Sequence, residues 1–448
     1  MKKVLIANRG EIAVRIIRTL KEMNITSVAV YSSGDKDSLH VALADEAYCI
    51  GGPSSADSYL NIDNILQAAL MSGADAIHPG YGFLSETPEF ARRTEELGKI
   101  FIGPTAETME KMGNKSMARQ TMEKAGVPVI PGSDGIVNSI EEVKTLAANI
   151  TYPVVIKAVS GGGGKGMRFA HSDEDVDKLY AEAKKEAKSS FNDDRLYVEK
   201  YIPKARHIEI QIIGDGHGGA VHLYERDCSI QRNNQKLLEE APATILSEKE
   251  RADITETTRQ AIEQLNYRGA GTLEYLYVPE EKRFYFIEMN TRVQVEHTVS
   301  EEVTGVDIIR AQIDVAFNDD IGFSQNDVQL TGHAIEARIN AEDPASNFMP
   351  SPGKIETLHL GLGRNVRVDT HIYSGYTIPP YYDSMIAKII VTAKDRHSAF
   401  EKLQLVLGET VIEPVKTNLD FQYYLTGHPK VLANDYDIKF IHTENIIE

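Results

Sequence analysis

Val154-Val155-Ile156-Lys157-Ala158-Val159-Ser160-Gly161-Gly162-Gly163-Gly164-Lys165-Gly166-Met167-Arg168-Phe169-Ala170 reads as two short apolar strands joined by a glycine loop. Four consecutive glycines let backbone N–H groups turn inward with no Cβ in the way. Lys157, Lys165 and Arg168 add positive charge, a combination that suits a polyphosphate. The loop is not a Walker A motif, because Gly166 stands where Ser or Thr must follow the lysine. Gly161, Gly163 and Gly166 match G-x-G-x-x-G in form. Met167 to Ala170 reads as a strand, however, so no helix N-terminus backs the glycines. The expectation is a hairpin flap over phosphates. A glycine run alone fits a flexible surface hairpin equally well, and the strand ending in Lys157 favours phosphate.

A second hairpin follows downstream. Gly271 to Val278 and Phe284 to Asn290 read as strands, with Pro279 to Arg283 as the turn. Closure about Glu281 would set Glu274 opposite Glu288. Like charges at a cross-strand pair are destabilising, and a divalent cation between them reverses the sign. Oxygen ligands with Asn290 close by suit Mg²⁺ or Mn²⁺ and not zinc. The alternation continues: Glu288, Asn290, Arg292, Gln294 and Glu296 fall at period two on one side of an extended segment, with Ile287, Met289, Val293 and Val295 on the other. Polar alternation by itself is usually the solvated face of a half-buried strand. Behind a glycine phosphate loop, this face looks like a site for nucleotide, metal and a small anion.

Upstream, short strands (Val4 to Ala7, Ser27 to Tyr31, Ala76-Ile77, Ile100 to Ile102) alternate with helices over Glu11 to Lys21 and Tyr59 to Met71. That pattern predicts a parallel sheet covered by helices. Asn8-Arg9-Gly10-Glu11, after the first strand, is no dinucleotide fingerprint. One helical stretch is expected over Glu107 to Ala125 and another over Asp173 to Ala187. The 448 residues suggest about three domains. A net charge of −18 argues against broad nucleic-acid or anionic-membrane binding. Cys49 and Cys228 are too few for a disulfide scaffold or a four-thiolate zinc site, and Cys228 reads as a buried free thiol. No apolar run is long enough to span a bilayer, and the polar Asn8-Arg9-Gly10-Glu11 cuts the N-terminal apolar run too early for an export signal. A cytoplasmic protein is expected. His78, His207 and His333 lack zinc spacing and read as structural.

Ile6-Ala7-Asn8-Arg9-Gly10-Glu11-Ile12-Ala13, His78-Pro79-Gly80-Tyr81-Gly82-Phe83-Leu84, the glycine loop, Glu225-Arg226-Asp227-Cys228-Ser229 and Glu288-Met289-Asn290-Thr291-Arg292 together resemble the biotin carboxylase family. The resemblance spans essentially the whole chain. It implies an α/β protein of ATP-grasp fold: an N-terminal doubly wound parallel-sheet domain over 1–112, an ATP-grasp region over 113–316 with a mobile lid at about 131–203, and a C-terminal mixed α+β domain over 317–448. It implies a ligase that uses ATP, Mg²⁺ or Mn²⁺ and bicarbonate to carboxylate biotin through carboxyphosphate, the first half-reaction of acetyl-CoA carboxylase, which supplies malonyl-CoA for fatty-acid synthesis. By that resemblance Lys115 and Lys157 contact ATP phosphates and Gly162, Gly163 and Gly164 fold over them. Glu199, Lys200 and Ile202 line the adenine pocket, and His207 and Gln231 sit near the ribose. Glu274 and Glu288 bind the metals, with Asn290 close by. Lys236, Arg292, Gln294 and the Val295 backbone hold bicarbonate, Glu296 is its base, and Arg338 stabilises the biotin enolate.

The resemblance also implies a biotin carboxyl carrier protein and carboxyltransferase subunits as partners, and a homodimer. A biotin-attachment hairpin of Met-Lys-Met type is not found, since Lys111-Met112 is followed by Gly113. Two positions depart from the family pattern. Asn233 and Asn234 stand in Gln231-Arg232-Asn233-Asn234-Gln235-Lys236 where the family usually has Arg and often His, which leaves a nucleotide contact at Asn234 open. Thr298 stands in Glu296-His297-Thr298-Val299 where the family has proline, and a looser loop after the base is expected. Rival readings are another ATP-grasp ligase, such as half of a carbamoyl-phosphate synthetase, and a non-catalytic nucleotide-binding regulator.

Overall fold

The computed structural model describes residues 2–159 and 166–446. The glycine run, with Gly162, Gly163 and Gly164, lies outside the described residues.

The N-terminal part is a five-stranded parallel sheet. Its strands are β1 (Lys3–Ile6), β2 (Thr26–Tyr31), β3 (Glu46–Cys49), β4 (Ala76–His78) and β5 (Ile100–Phe101), in the order β3-β2-β1-β4-β5. Helix α1 (Gly10–Glu22) returns from β1, and Ile12, Ile16, Ile17 and Leu20 form its buried stripe. Each such side chain contributes ~1.5–3 kcal/mol by leaving water. Helix α2 is Ile62–Ser72, not Tyr59 to Met71. Asn61 caps it by accepting from the Asn64 N–H, and Tyr59 instead donates its hydroxyl to Asp35. The strand order reverses beside β1, so the Asn8–Glu11 turn sits where doubly wound sheets bind ligands. Asn8 Nδ2 donates to the carbonyls of Pro79 and Tyr81, 2.7 Å each, which joins the two N-terminal motifs. A Cβ on Gly80 would come 2.8 Å from Asn8 Nδ2, so only glycine fits there.

The stretch expected as one helix is two: α3 (Ala106–Gly113) and α4 (Lys115–Lys124). Asn114 breaks them, with extended backbone, and its side chain accepts from the Met117 N–H. Lys115 therefore opens a helix at the edge of the central cleft.

Strands β6 (Val154–Ala158) and β7 (Met167–Ala170) form the expected antiparallel hairpin. Helix α5 spans Asp173–Phe191. Strand β8 (Leu196–Lys200) completes a small sheet, β7-β6-β8, whose own apolar core includes Ile156, Val176 and Val198.

The remainder is built on one eight-stranded antiparallel sheet. Its strands are β9 (Arg206–Asp215), β10 (Ala220–Arg232), β11 (Gln235–Ala241), β12 (Arg268–Val278), β13 (Arg283–Asn290), β14 (His333–Asn340), β15 (Val366–Thr370) and β16 (Met385–Ala393). The order is β13-β12-β9-β10-β11-β14-β16-β15. The sheet crosses residue 317 unbroken, because β11 pairs with β14. Helix α6 (His297–Thr304) packs on this sheet. Arg15 of α1 bonds Glu301 of α6 and Asp307, both at 2.9 Å, tying the parallel sheet's helix to the large sheet.

Candidate active site

A cleft of about 1070 Å³ opens where the three parts meet. That exceeds a usual small-ligand pocket and leaves room for more than one substrate. Lys115, Lys157, Lys200, Ile202, His207, Gln231, Lys236, Glu274, Glu288, Asn290, Arg292, Gln294, Val295, Glu296 and Arg338 all line it. Of the expected contacts among the described residues, Glu199 alone does not; its carboxylate takes the Lys157 ammonium at 2.5 Å.

Strand pairing builds the site's centre. Glu288 of β13, Glu274 of β12, Glu209 of β9 and Arg226 of β10 are successive cross-strand partners. The β12–β13 hairpin does not close symmetrically about Glu281. Val278 pairs with Arg283 and Tyr275 with Phe286, so a one-residue bulge at Ile287 brings Glu274 opposite Glu288. The polar alternation also ends differently from the sequence reading. Strand β13 stops at Asn290, and Glu296 is the N-cap of α6, with φ −81° and ψ 10°. Its five polar side chains still reach one cleft, and so do Ile287 and Val295, which strict alternation puts on the opposite face.

Lys236 is the hub. Its ammonium donates to Glu209 at 2.6 Å, Glu274 at 3.0 Å and Glu296 at 2.6 Å. Burial disfavours its charge, yet the three carboxylates raise its pKa well above the usual lysine value. Arg338 donates to Glu296 at 3.0 Å and to Glu239 at 2.5 Å. Burial alone would raise the Glu296 carboxyl. Lys236, Arg338 and Arg226 overcome it and hold Glu296 well below the ordinary carboxylate range. Glu296 is thus ionised and can accept a proton. An anion that takes over Lys236 and Arg338 would raise its proton affinity.

Glu274 is the other node. It accepts from Asn290 at 2.9 Å and Gln294 at 2.8 Å, and His207 Nε2 lies 3.0 Å away. Gln231 in turn bonds the His207 ring at 3.2 Å, so this histidine belongs to the site rather than to the core. Arg292 donates to Asn290 at 2.9 Å and to Glu86 at 2.8 Å. Glu288 hydrogen-bonds to none of the described side chains, and burial, reinforced by Glu274, raises its pKa. Two facing carboxylates, one of them without a hydrogen-bonded cation, fit a hard divalent cation, and the Asn290 amide beside them turns its nitrogen to Glu274 and its oxygen to Arg292.

Four contributors escaped the sequence reading. Glu209 bridges Lys236 and Arg226; Arg226 is fully buried and donates to Gln294 at 2.8 Å; Glu239 braces Arg338; Lys388 reaches the Val295 carbonyl at 2.7 Å. The signal for Glu209 was present: His207, Glu209 and Gln211 alternate along one strand. Cys228 is buried, as expected.

The two departures from the family pattern have local explanations. Asn233 and Asn234 form the β10–β11 turn with φ of +50° and +64°, the conformation that asparagine tolerates in a tight hairpin. Asn234 also lines the cleft. Thr298 does not loosen the loop after Glu296. It is fully buried, and its hydroxyl hydrogen-bonds Glu336 of β14.

Comparison with known proteins agrees with this architecture. Residues 1–109 match the family model for the biotin carboxylase N-terminal domain, and residues 336–443 that for the biotin carboxylase C-terminal domain. Residues 114–322 match the ATP-binding domain of the carbamoyl-phosphate synthase L chain. The ATP-binding segment thus matches a model described from carbamoyl-phosphate synthase, and the two flanking segments match models described from biotin carboxylase. The chain is 50% identical over 447 residues to biotin carboxylase 1 of Bacillus subtilis, covering 100% of this chain and 99% of that one. The Campylobacter jejuni biotin carboxylase structure, a complex with β,γ-ATP, superposes with a TM-score of 0.91 at 49% identity, covering 99% of this chain and 98% of that one. The biotin carboxylase domain dimer of Hydrogenobacter thermophilus 2-oxoglutarate carboxylase, solved with MgADP and bicarbonate, gives 0.91 at 44% identity over 100% of this chain and 98% of that one. Motifs, strand order, cleft and these full-length similarities converge, and the chain belongs to the biotin carboxylase family.

Proposed function

We propose that the chain carboxylates biotin carried on a separate carrier protein, using ATP and bicarbonate, as the first half-reaction of acetyl-CoA carboxylase. The observation that carries this reading is the Lys236–Glu296–Arg338 contact set: one carboxylate held ionised between two cations at the inner end of a cleft large enough for two substrates. Bicarbonate would sit against Lys236, Arg292, Gln294 and the Val295 backbone. Glu296 takes its proton, which makes it nucleophilic towards the terminal phosphoryl group of ATP. Lys115 and Lys157 meet the phosphates, and Lys200, Ile202, His207 and Gln231 hold the nucleoside. Glu274, Glu288 and Asn290 would hold Mg²⁺ or Mn²⁺, which offsets the charge on the transferring group. Carboxyphosphate breaks down to CO₂ and phosphate, and the phosphate removes the biotin N1 proton. Arg338 then stabilises the negative charge on the enolate oxygen while the deprotonated N1 attacks the carbon of CO₂.

The same reading divides the chain at 112/113 and 316/317, with residues 131–203 as a lid carrying its own small core. No described helix is long and apolar enough to cross a membrane, and we place the protein in the cytoplasm as a homodimer.

The test is ADP release with Mg²⁺ and bicarbonate, with and without free biotin. Biotin should stimulate bicarbonate-dependent ADP release, and Glu296→Gln should abolish it while retaining ATP binding. ADP release indifferent to biotin would point to another ATP-grasp ligase, and none at all to a nucleotide-binding regulator.

A further inference from the structure

Lys388 is a fully buried lysine on β16 that no step above uses. Its ammonium donates to the Val295 carbonyl at 2.7 Å. Lys388 is also the cross-strand partner of Arg338 on β14. Two cations thus stand side by side on the large sheet and hold consecutive residues of one loop. Arg338 takes the Glu296 carboxylate at 3.0 Å, and Lys388 takes the backbone oxygen one residue earlier. Two residues along β14, Glu336 accepts from Thr298 and holds the start of α6 to the same sheet.

A buried ammonium needs counter-charges. Glu11 of α1 lies 3.4 Å away and Asp369 of β15 lies 4.0 Å away, while Arg367 opposes the ammonium's charge through space. Glu11 comes from the helix that covers the parallel sheet and Asp369 from the large sheet, although the hydrogen bond they support is made to the base loop.

We propose that Lys388 is a positioning residue for the carboxylation reaction: by fixing the Val295–Glu296 peptide it aligns the bicarbonate-binding backbone with the base carboxylate. This rests on the function proposed above. Removing the ammonium frees that peptide to rotate, so bicarbonate is held less well while the nucleotide contacts stay.

The experiment compares wild type, Lys388→Met and the charge-balanced Lys388→Met/Glu11→Gln. It measures ADP release over ranges of ATP and of bicarbonate, with thermal melting to verify folding. The bicarbonate KM should rise about tenfold in both variants, the loss expected for one charge-assisted hydrogen bond, with the ATP KM unchanged. A purely structural role would lower Tm and leave that split unmoved. Wild-type bicarbonate kinetics in either folded variant would overturn the inference. So would failure of both variants to fold, which would make Lys388 a structural cation. Wild-type protein without biotin-stimulated ADP release would overturn the function reading, and this inference with it.

Discussion

Glu239 and Glu336 face each other across β11 and β14, both fully buried. Two like charges there are unfavourable unless one is neutralised. Arg338 sits on Glu239 at 2.5 Å, whereas Glu336 has the Thr298 hydroxyl. Burial pushes both carboxyls up, Glu239 to about 7 and Glu336 to about 8, so the pair retains a proton and Glu336, which no cation contacts, holds it more firmly. Burial pushes its carboxyl up from 4.5 to about 8; Lys388 pulls the other way and Glu239 adds to the rise. Between those values the folded chain keeps a proton that the unfolded chain has released. The group's contribution to stability is complete below the unfolded pKa and is lost as pH rises through about 8. Glu336→Gln should remove that dependence, which for one proton reaches about 1.4 kcal/mol per pH unit. Tm measured from pH 5 to 9 should fall less steeply in the variant; parallel curves would place the proton elsewhere.

At the level of elements, the β10–β11 turn controls the hub. Lys236 follows Asn233-Asn234 by two residues, so the turn sets where its ammonium points. Both asparagines have left-handed backbone, which a β-branched residue adopts at a cost of ~1–2 kcal/mol. Asn233→Val should lower stability by about that amount and reduce turnover by displacing Lys236, whereas Asn233→Gly should retain both. Melting and ADP release on the same preparations decide it, and an unaffected valine variant would show that the turn does not set Lys236. The turn was invisible in the sequence reading because Asn-Asn was weighed as a missing ligand rather than as turn chemistry. The break at Asn114 was missed for a related reason. Gly113-Asn114 is the signal that was passed over: glycine ends α3 and the Asn114 side chain caps the start of α4.

Across the whole molecule, the cleft draws on the β1–α1 turn, α4, the β6–β7–β8 sheet and seven strands of the large sheet. This machinery activates bicarbonate and meets biotin, and the sequence offers no biotin-attachment hairpin. On the separate-carrier reading proposed above, the chain should carry no covalent biotin by mass spectrometry. Supplied with labelled bicarbonate and acetyl-CoA, it should form no malonyl-CoA until a biotinyl carrier and a carboxyltransferase are added. Free biotin should replace the carrier weakly, since a docked carrier raises biotin's effective concentration. Biotin on any lysine, or product from the chain alone, would refute the separate-carrier reading.

The sequence by itself determined what is local or periodic. Strand–helix alternation set the parallel sheet and two antiparallel hairpins were legible from strand–turn–strand patterns, whereas Glu274 meets Glu288 through a bulge at Ile287 that the symmetric closure did not contain. Family resemblance supplied the roles, and the structure gathers those of the residues concerned that it describes, with Glu199 facing Lys157 instead of the cleft. Only the tertiary structure decided which charges meet. Glu209, Glu239 and Lys388 lie on strands distant in sequence from Glu296, and no period within one segment encodes their proximity. It arises from the order in which β9, β11, β14 and β16 join one sheet. The ionisation of Glu296 was equally hidden, because it is the outcome of burial opposed by three cations from three different strands.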